Sequence, residues 1–111
     1  MKKEVVKIGM LGLGTVGGGT LQILQKNRDS IRRKLGFDLE VKSIAVRDVK
    51  KPRIVQAAPE LLTDKIDVVT DDPEIDVIVE TMGGIENARL AITRALEQGK
   101  SVVTANKDLM A

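Results

Sequence analysis

The sequence contains neither cysteine nor histidine, and these two absences exclude several kinds of chemistry. Without cysteine the chain has no disulfide, no thiolate-bound zinc and no thiol nucleophile. Without histidine it lacks the commonest metal ligand and the commonest general base. We therefore predict no metal site, and any catalysis must depend on Lys, Asp, Glu, Ser, Thr, backbone amides or a bound cofactor.

Aromatic residues are also nearly absent, since the chain has no Trp or Tyr and Phe37 is its only aromatic side chain. Proteins that bind single-stranded nucleic acid usually stack bases on aromatic rings. A balance of 18 basic against 16 acidic residues is not a polybasic footprint. No apolar run approaches the roughly 18 to 20 residues of a membrane-spanning helix, and residues 1–4 do not resemble a signal peptide. We expect a cytoplasmic protein that binds neither nucleic acid nor membranes.

A length of 111 residues suits one domain, which we expect to span residues 1–111. Apolar runs typical of buried strands alternate with amphipathic stretches typical of helices. The predicted strands are 5–11, 39–46, 66–70, 75–80 and 101–104. One predicted helix follows the first strand to about residue 34, a short helical turn covers 59–62, and a second helix covers 86–98. Gly36 and Gly99 are predicted to end the two helices.

Apolar periodicity predicts which face of each helix is buried. For the first helix the predicted stripe is Val16, Thr20, Ile23, Leu24, Asn27 and Ile31, and for the second it is Ala88, Ala91, Ile92, Ala95 and Leu96. Helices that alternate with buried strands indicate a parallel sheet with right-handed crossovers. We predict an α/β fold, a Rossmann-type doubly wound parallel sheet in three α/β/α layers, with about five strands in the order 3-2-1-4-5.

The strongest local signal is a G-x-G-x-x-G motif at residues 12–17, directly after the first strand and directly before the first helix. Gly12 permits the tight turn, Gly14 lets a pyrophosphate approach the backbone, and Gly17 lets the helix pack closely on the strand. The alternative is a tight turn that binds nothing. That alternative leaves Gly18 and Gly19 unexplained, since glycine weakens a helix by about 1 kcal/mol relative to alanine.

The helix that follows this motif begins with the backbone amides of Thr15, Val16 and Gly17. A helix N-terminus attracts anions, because its amides are unpaired and the helix dipole is positive there. We therefore predict that these amides point at the phosphates of a dinucleotide.

The end of the second strand bears on the choice of cofactor. It ends in Val46-Arg47-Asp48, and an acidic residue here suits the ribose of NAD whereas an arginine suits the 2′-phosphate of NADP. Arg47 at the tip favours NADP, and a register shifted by one residue makes Asp48 favour NAD. Lys50, Lys51 and Arg53 either add positive charge to that site or form a solvated basic loop.

Lys107 follows the last predicted strand in the segment Thr104-Ala105-Asn106-Lys107. Ligands of open α/β sheets bind beyond the carboxyl ends of the strands. Lys107 is thus predicted to lie near a nicotinamide, where it can donate to a carbonyl oxygen or help move its proton. The alternative is an exposed lysine at the start of a helix.

The motifs together resemble homoserine dehydrogenase. The resemblance is carried, in order and with matching spacing, by residues 8–17, 46–48, 72–76, 80–86 and 104–107, among which Met82-Gly83-Gly84 and Thr104-Ala105-Asn106-Lys107 are the most specific. It implies NAD(P)-dependent interconversion of L-homoserine and L-aspartate 4-semialdehyde, on the route to threonine, methionine and isoleucine.

The same resemblance implies roles for individual residues. It implies that Leu13 to Val16 line the pyrophosphate and that Arg47 lines the adenosine ribose or its 2′-phosphate. It also implies that Thr81 and Met82 line the nicotinamide ribose, and that Lys107 contacts both cofactor and substrate. The family's substrate-binding and dimerising domain has no counterpart in these residues. We thus expect a chain that binds NADP or NAD, turns over its amino-acid substrate only together with that domain, and can self-associate. The alternatives are the cofactor domain of another amino-acid dehydrogenase and a non-catalytic nucleotide-binding module.

Overall fold

The computed structural model describes residues 4–50, 57–82 and 85–104. Its five strands are β1 Val5–Leu11, β2 Asp38–Ala45, β3 Leu62–Thr63, β4 Val77–Glu80 and β5 Ser101–Thr104. The helices are α1 Thr15–Lys26, α2 Arg28–Leu35, α3 Ile66–Thr70 and α4 Ile85–Glu97. A single 3-10 turn, Pro59–Leu61, leads into β3 and matches the predicted short helical turn.

All strand pairs are parallel, and the sheet has the order β3-β2-β1-β4-β5. The chain builds outward from β1 to β3 and then returns to the other side of β1 to add β4 and β5. The predicted fold and strand order are therefore confirmed. The reversal of direction between β1 and β4 makes a crevice at the carboxyl ends of these two strands, where ligands bind in open α/β sheets.

Each face of the sheet carries its own apolar core, because successive side chains of a strand point to opposite faces. Ile8 and Met10 of β1 pack on one face with Leu21 of α1. Leu11 packs on the other face with Ile78 of β4 and with small residues of α4. Helical layers on both faces make the sheet doubly wound, and this explains why β1 is almost continuously apolar.

The third strand was predicted wrongly at residues 66–70. These residues form helix α3, and the third strand is Leu62–Thr63, which pairs with Ile44 and Ala45 of β2. The β-branched composition of 66–70 favours a strand locally. The helix buries the adjacent residues Val69 and Thr70 and leaves Val68 48% exposed. A strand with one buried face would instead bury every second side chain.

The predicted first helix is divided into two at Asn27. Asn27 ends α1 because its φ of −109° and ψ of 20° depart from helical geometry, and its side-chain amide and its backbone amide both donate to the carbonyl of Ile23, at 3.0 Å each. Helix α2 then ends as predicted at Gly36, which has a left-handed φ of 80° and donates to the carbonyl of Arg32. Gly99, with a φ of 80°, likewise follows α4.

The predicted buried stripe of α1 is wrong at Val16 and Ile23, which are 55% and 60% exposed, whereas Leu24 packs against the core as predicted. Gly17, Gly18 and Leu21 face the sheet instead, since close packing of Gly17 against the preceding turn sets the rotation of the helix. The stripe of α4 was mostly predicted correctly, with Ala88, Ala91 and Ala95 buried, but Leu96 is 56% exposed.

Ion pairs join the strands near their amino ends. The ammonium of Lys42 on β2 lies 2.5 Å from a carboxylate oxygen of Asp72 and 3.4 Å from Glu74. The other Asp72 oxygen accepts the backbone amide of Glu74 at 2.9 Å. Lys100 is almost fully buried and donates to the Asp72 carbonyl at 2.6 Å. Burial raises the pKa of Asp72, but the hydrogen bonds from Lys42 and Glu74 and the charges of Lys42 and Lys100 outweigh it, so the pKa lies below its usual value.

Replacement of Asp72 tests this pair through the pH dependence of stability. Because folding lowers the pKa of Asp72, its contribution is present above the unfolded pKa and is lost as the pH falls through the folded pKa, progressively below about pH 5. We expect Asp72→Asn to lower the free energy of unfolding at pH 7 and to flatten its decline in acid. Lys42→Met should have the same effect. Urea unfolding between pH 7 and pH 3 measures this, and parallel curves for wild type and variants would contradict the assignment.

Candidate cofactor-binding site

The glycine-rich turn between β1 and α1 is held in place by both neighbouring strands. The amide of Gly12 donates to the carbonyl of Ala45, at the end of β2, at 2.8 Å. On the other side, the amide of Thr81 donates to the carbonyl of Leu11 at 2.9 Å, and the Thr81 hydroxyl donates to the same carbonyl at 3.2 Å. The turn therefore sits at the crevice where the direction of strand addition reverses.

Two glycines of the turn are required by the protein itself. Gly12 has a φ of 102°, a left-handed conformation that residues with a side chain rarely adopt. A Cβ on Gly17 would lie 2.6 Å from the carbonyl oxygen of Gly12 and 2.7 Å from the Thr81 hydroxyl. The predicted roles of Gly12 in the tight turn and of Gly17 in close packing agree with this geometry.

Gly14 differs from both, because nothing in the described part of the chain requires a glycine there. A Cβ on Gly14 would meet no described atom within 4 Å, and its φ of −84° suits any residue. The residue is exposed and precedes the first turn of α1 directly. Open space over a bare backbone is what the approach of a pyrophosphate needs.

The N-terminus of α1 offers the amides for such an anion. Among the described residues no side chain caps this end of the helix, and its first turn carries no acidic residue. The side chain of Leu13 is buried in the same core cluster as Leu21, so only the backbone of Leu13 is available to the crevice. The side chain of Val16 is exposed. The arrangement combines the helix dipole with unpaired amides, which favours phosphate.

Arg47 lies at the tip of the second strand. Val46 is buried and donates its amide to the carbonyl of Thr63 at 2.8 Å, so Arg47 is the first exposed residue of this segment. Asp48 follows, and its carboxylate accepts the amide of Lys50 at 2.9 Å. Of the other basic residues predicted nearby, Lys51 and Arg53 lie outside the described residues.

The ends of β4 and β5 form the other wall of the crevice. The Thr81 hydroxyl approaches the Gly12 carbonyl at 3.4 Å and so ties the end of β4 to the glycine turn. Glu80 is fully buried, and its carboxylate accepts the Met82 amide at 2.7 Å and the Thr104 hydroxyl at 2.5 Å. Thr81 and Met82 thus lie at the same sheet edge as the glycine turn. Gly83, Gly84 and Lys107 lie outside the described residues.

Sequence reasoning missed Glu80 as a residue of this edge. The signal was an acidic residue at the end of the apolar run Val77-Ile78-Val79, where a buried strand is expected to continue with an apolar side chain. Its partner Thr104 is 24 residues away in the chain, and only the register of β4 with β5 brings the two together.

Every helix that the structure describes is too short or too polar to cross a membrane. Residues 12–111 match the sequence model of a family described as "Homoserine dehydrogenase, NAD binding domain". The chain belongs to the homoserine dehydrogenase family. As the NAD-binding domain of this family, it takes a nicotinamide dinucleotide as its cofactor.

Relatives of known name agree with this assignment. The homoserine dehydrogenase of Synechocystis sp. is 48% identical over 96% of this chain, which covers 24% of that protein. The homoserine dehydrogenase of Bacillus subtilis is 42% identical over 97% of this chain, which covers 25% of that protein. The crystal structure of S. aureus homoserine dehydrogenase at pH 7.5 aligns with a TM-score of 0.88 and 41% identity over 94% of this chain and 27% of that one. The crystal structure of the Thiobacillus denitrificans homoserine dehydrogenase aligns with a TM-score of 0.84 and 47% identity, over 93% of this chain and 24% of that one. The chain thus spans about a quarter of the length of its relatives.

The contrast between Gly14 and Gly17 gives a direct test of the turn. Gly14→Val should leave thermal stability nearly unchanged and abolish dinucleotide binding, because its side chain enters space that is open without ligand. Gly17→Ala should instead destabilise the fold by about 1 to 3 kcal/mol, the usual cost of overpacking. Calorimetric titration with NADPH and thermal unfolding measure both. Unchanged affinity in Gly14→Val would mean that the turn is only structural.

Proposed function

We propose that this chain is the cofactor-binding part of an enzyme that interconverts L-homoserine and L-aspartate 4-semialdehyde in the cytoplasm. The observation that carries the proposal is the open backbone at Gly14 beside the uncapped N-terminus of α1, in a chain of the homoserine dehydrogenase family. The cofactor would accept a hydride from the alcohol carbon of homoserine and return it to the aldehyde. The chain's own residues hold and orient it.

Each segment of the sheet edge has a role in this proposal. The backbone of residues 13–17 binds the pyrophosphate, because its amides converge at the end of α1. Arg47 binds the adenosine ribose or its 2′-phosphate. Thr81 and Met82 line the nicotinamide ribose, because both residues follow the end of β4 at the sheet edge that carries the glycine turn.

The substrate-binding part is proposed to lie in a second domain, of which these residues form no portion. In this proposal residues 1–111 belong to the dinucleotide-binding unit, which meets that domain through apolar surface. Ile23 and Val103 support this, since they are 60% and 58% exposed. Such surface also invites self-association of the isolated chain.

Lys107 is proposed as the catalytic residue of this part of the enzyme. When hydride reaches the semialdehyde carbonyl, its oxygen gains negative charge. An ammonium beside that oxygen stabilises the charge more in the transition state than in the ground state, and this difference accelerates the reaction.

Joining the chain to the second domain tests the proposed activity. We expect the purified chain of 111 residues to bind NADP⁺ without oxidising homoserine, and a fusion to the remaining part of the Bacillus subtilis relative to oxidise homoserine with NADP⁺ as the hydride acceptor. In the fusion, Lys107→Ala should lower kcat by about 10² to 10³, the usual effect of removing one oxyanion donor, with cofactor affinity little changed. Lys107→Arg should restore little, because a planar guanidinium differs from an ammonium in shape.

The assay separates the alternatives. A fusion that binds dinucleotide and turns over nothing would favour a non-catalytic nucleotide-binding module. Near wild-type turnover in Lys107→Ala, with unchanged stability, would remove Lys107 from the active site.

Arg47 supports a preference for NADP over NAD. It is the first exposed residue after the second strand, while the Asp48 carboxylate accepts a hydrogen bond from its own loop. A guanidinium can donate two parallel hydrogen bonds to a phosphate, and such charge-assisted bonds are the strong ones. A ribose hydroxyl gains less from the same group.

Replacement of Arg47 tests this preference. Arg47→Ala should weaken NADP binding about ten- to a hundredfold, the loss typical of a hydrogen bond to a charged group, and should weaken NAD binding much less. Asp48→Asn, the matched control, should leave the ratio of the two affinities unchanged. Calorimetric titration of each variant with both dinucleotides measures the ratio. An equal loss for NAD and NADP in Arg47→Ala would place Arg47 on the shared adenosine.

A further inference from the structure

Among the carboxylates whose burial the structure describes, Glu80 is the only one that is fully buried, and it lies at the cofactor edge of the sheet. Burying a carboxylate in a core is unfavourable unless hydrogen bonds compensate. Both of its oxygens are engaged, one by the Met82 amide at 2.7 Å and the other by the Thr104 hydroxyl at 2.5 Å. An apolar residue at the end of β4 would avoid that cost.

The sheet does not need this carboxylate to hold β4 and β5 together. The two strands already pair in parallel over four residues each, from Val77 opposite Ser101 to Glu80 opposite Thr104. What Glu80 adds is a link beyond the backbone ladder, where the strands end and the loops begin. One of its partners, Met82, lies past the end of β4, and the other, Thr104, is the last residue of β5.

The same edge is tied to the glycine turn through Thr81, which stands between Glu80 and Met82 in sequence and donates to the carbonyls of Leu11 and Gly12. Glu80 therefore fixes the backbone on the far side of Thr81. Together these bonds connect the turn, the end of β4 and the end of β5 across the crevice.

We propose that Glu80 is a positioning residue for the nicotinamide half of the cofactor. Through the Met82 amide and the Thr104 hydroxyl it sets the two strand ends that flank the nicotinamide ribose, without touching the cofactor itself. The inference rests on the proposed function, because it takes Met82 to line that ribose. A link with a purely structural role would support both halves of the cofactor equally, since it would act through the stability of the whole fold.

A pair of ligands separates the two roles. NADP⁺ occupies the whole site, whereas 2′-phosphoadenosine 5′-diphosphate has the same adenosine, 2′-phosphate and pyrophosphate without the nicotinamide and its ribose. Calorimetric titration of the 111-residue chain with each ligand compares the halves of the site. Melting temperatures, followed by circular dichroism, report the stability of each variant.

Thr104→Val is the informative variant, because valine keeps the shape of threonine and lacks the donor. We expect Thr104→Val to weaken the binding of NADP⁺ about tenfold, within the range for a lost hydrogen bond to a charged group. Its affinity for the fragment should stay within about twofold of the wild-type value. Thr104→Ser keeps the hydroxyl and should bind like wild type. Thr70→Val is the matched control: Thr70 is also fully buried, its hydroxyl donates to Asp71, and it should change the melting temperature but neither affinity.

A measurement on the wild-type chain serves if Thr104→Val does not fold. Hydrogen exchange of the Met82 amide, the donor to Glu80, should slow further when NADP⁺ binds and should not respond to the fragment. Equal slowing by both ligands would overturn the proposal.

The remaining outcomes are equally decisive. If Thr104→Val weakens the binding of both ligands equally, or of neither, the positioning role is wrong while dinucleotide binding stands. The same conclusion follows if the wild-type chain binds both ligands with the same affinity. If wild type binds neither ligand, the proposed function fails and this inference fails with it.

Discussion

The approach of the Gly17 backbone to the carbonyl of Gly12 is the contact on which the site depends. A single Cβ there would come within 2.6 Å of that oxygen, so α1 can begin directly behind β1 only because the position is bare. The contact sets the rotation of α1, which turns Leu21 toward the sheet and leaves Val16 and Ile23 outside. It also leaves the first amides of the helix at the sheet edge, where an anion can reach them.

The carboxyl edge is held by bonds between its segments. The amide of Gly12 donates a hydrogen bond to the carbonyl of Ala45 at the end of β2. The carbonyl of Leu11 accepts hydrogen bonds from both the amide and the hydroxyl of Thr81, which follows β4. Glu80 extends the same connection to β5 through Thr104. A site whose segments are already ordered spends less of its binding energy on arranging them. This is why a short domain with few aromatic residues can still present a defined surface to a dinucleotide.

Charges are distributed differently at the two ends of the sheet. Toward the amino ends, Lys7 and Lys42 pair with the carboxylates of Asp72 and Glu74 in partly exposed positions. At the carboxyl end, the buried carboxylate of Glu80 accepts hydrogen bonds from an amide and a hydroxyl. Exposed pairs are screened by water and salt, so they affect stability without imposing a field on the crevice. The two ends can therefore serve folding and binding separately.

Local sequence alone determined much of this protein. Alternating apolar runs and glycines at helix ends were enough for β1, α4, the strand order and the place of the glycine turn. Tertiary structure decided the rest, because the deciding contacts join residues distant in the chain. Residues 66–70 have strand-like composition but form α3, which buries Val69 beside Ile75 and Ile78. The face of α1 follows from the packing of Gly17, and the partnership of Glu80 with Thr104 exists only in the register of two parallel strands. Periodicity encodes which residues avoid water, whereas registers and close approaches depend on which elements become neighbours.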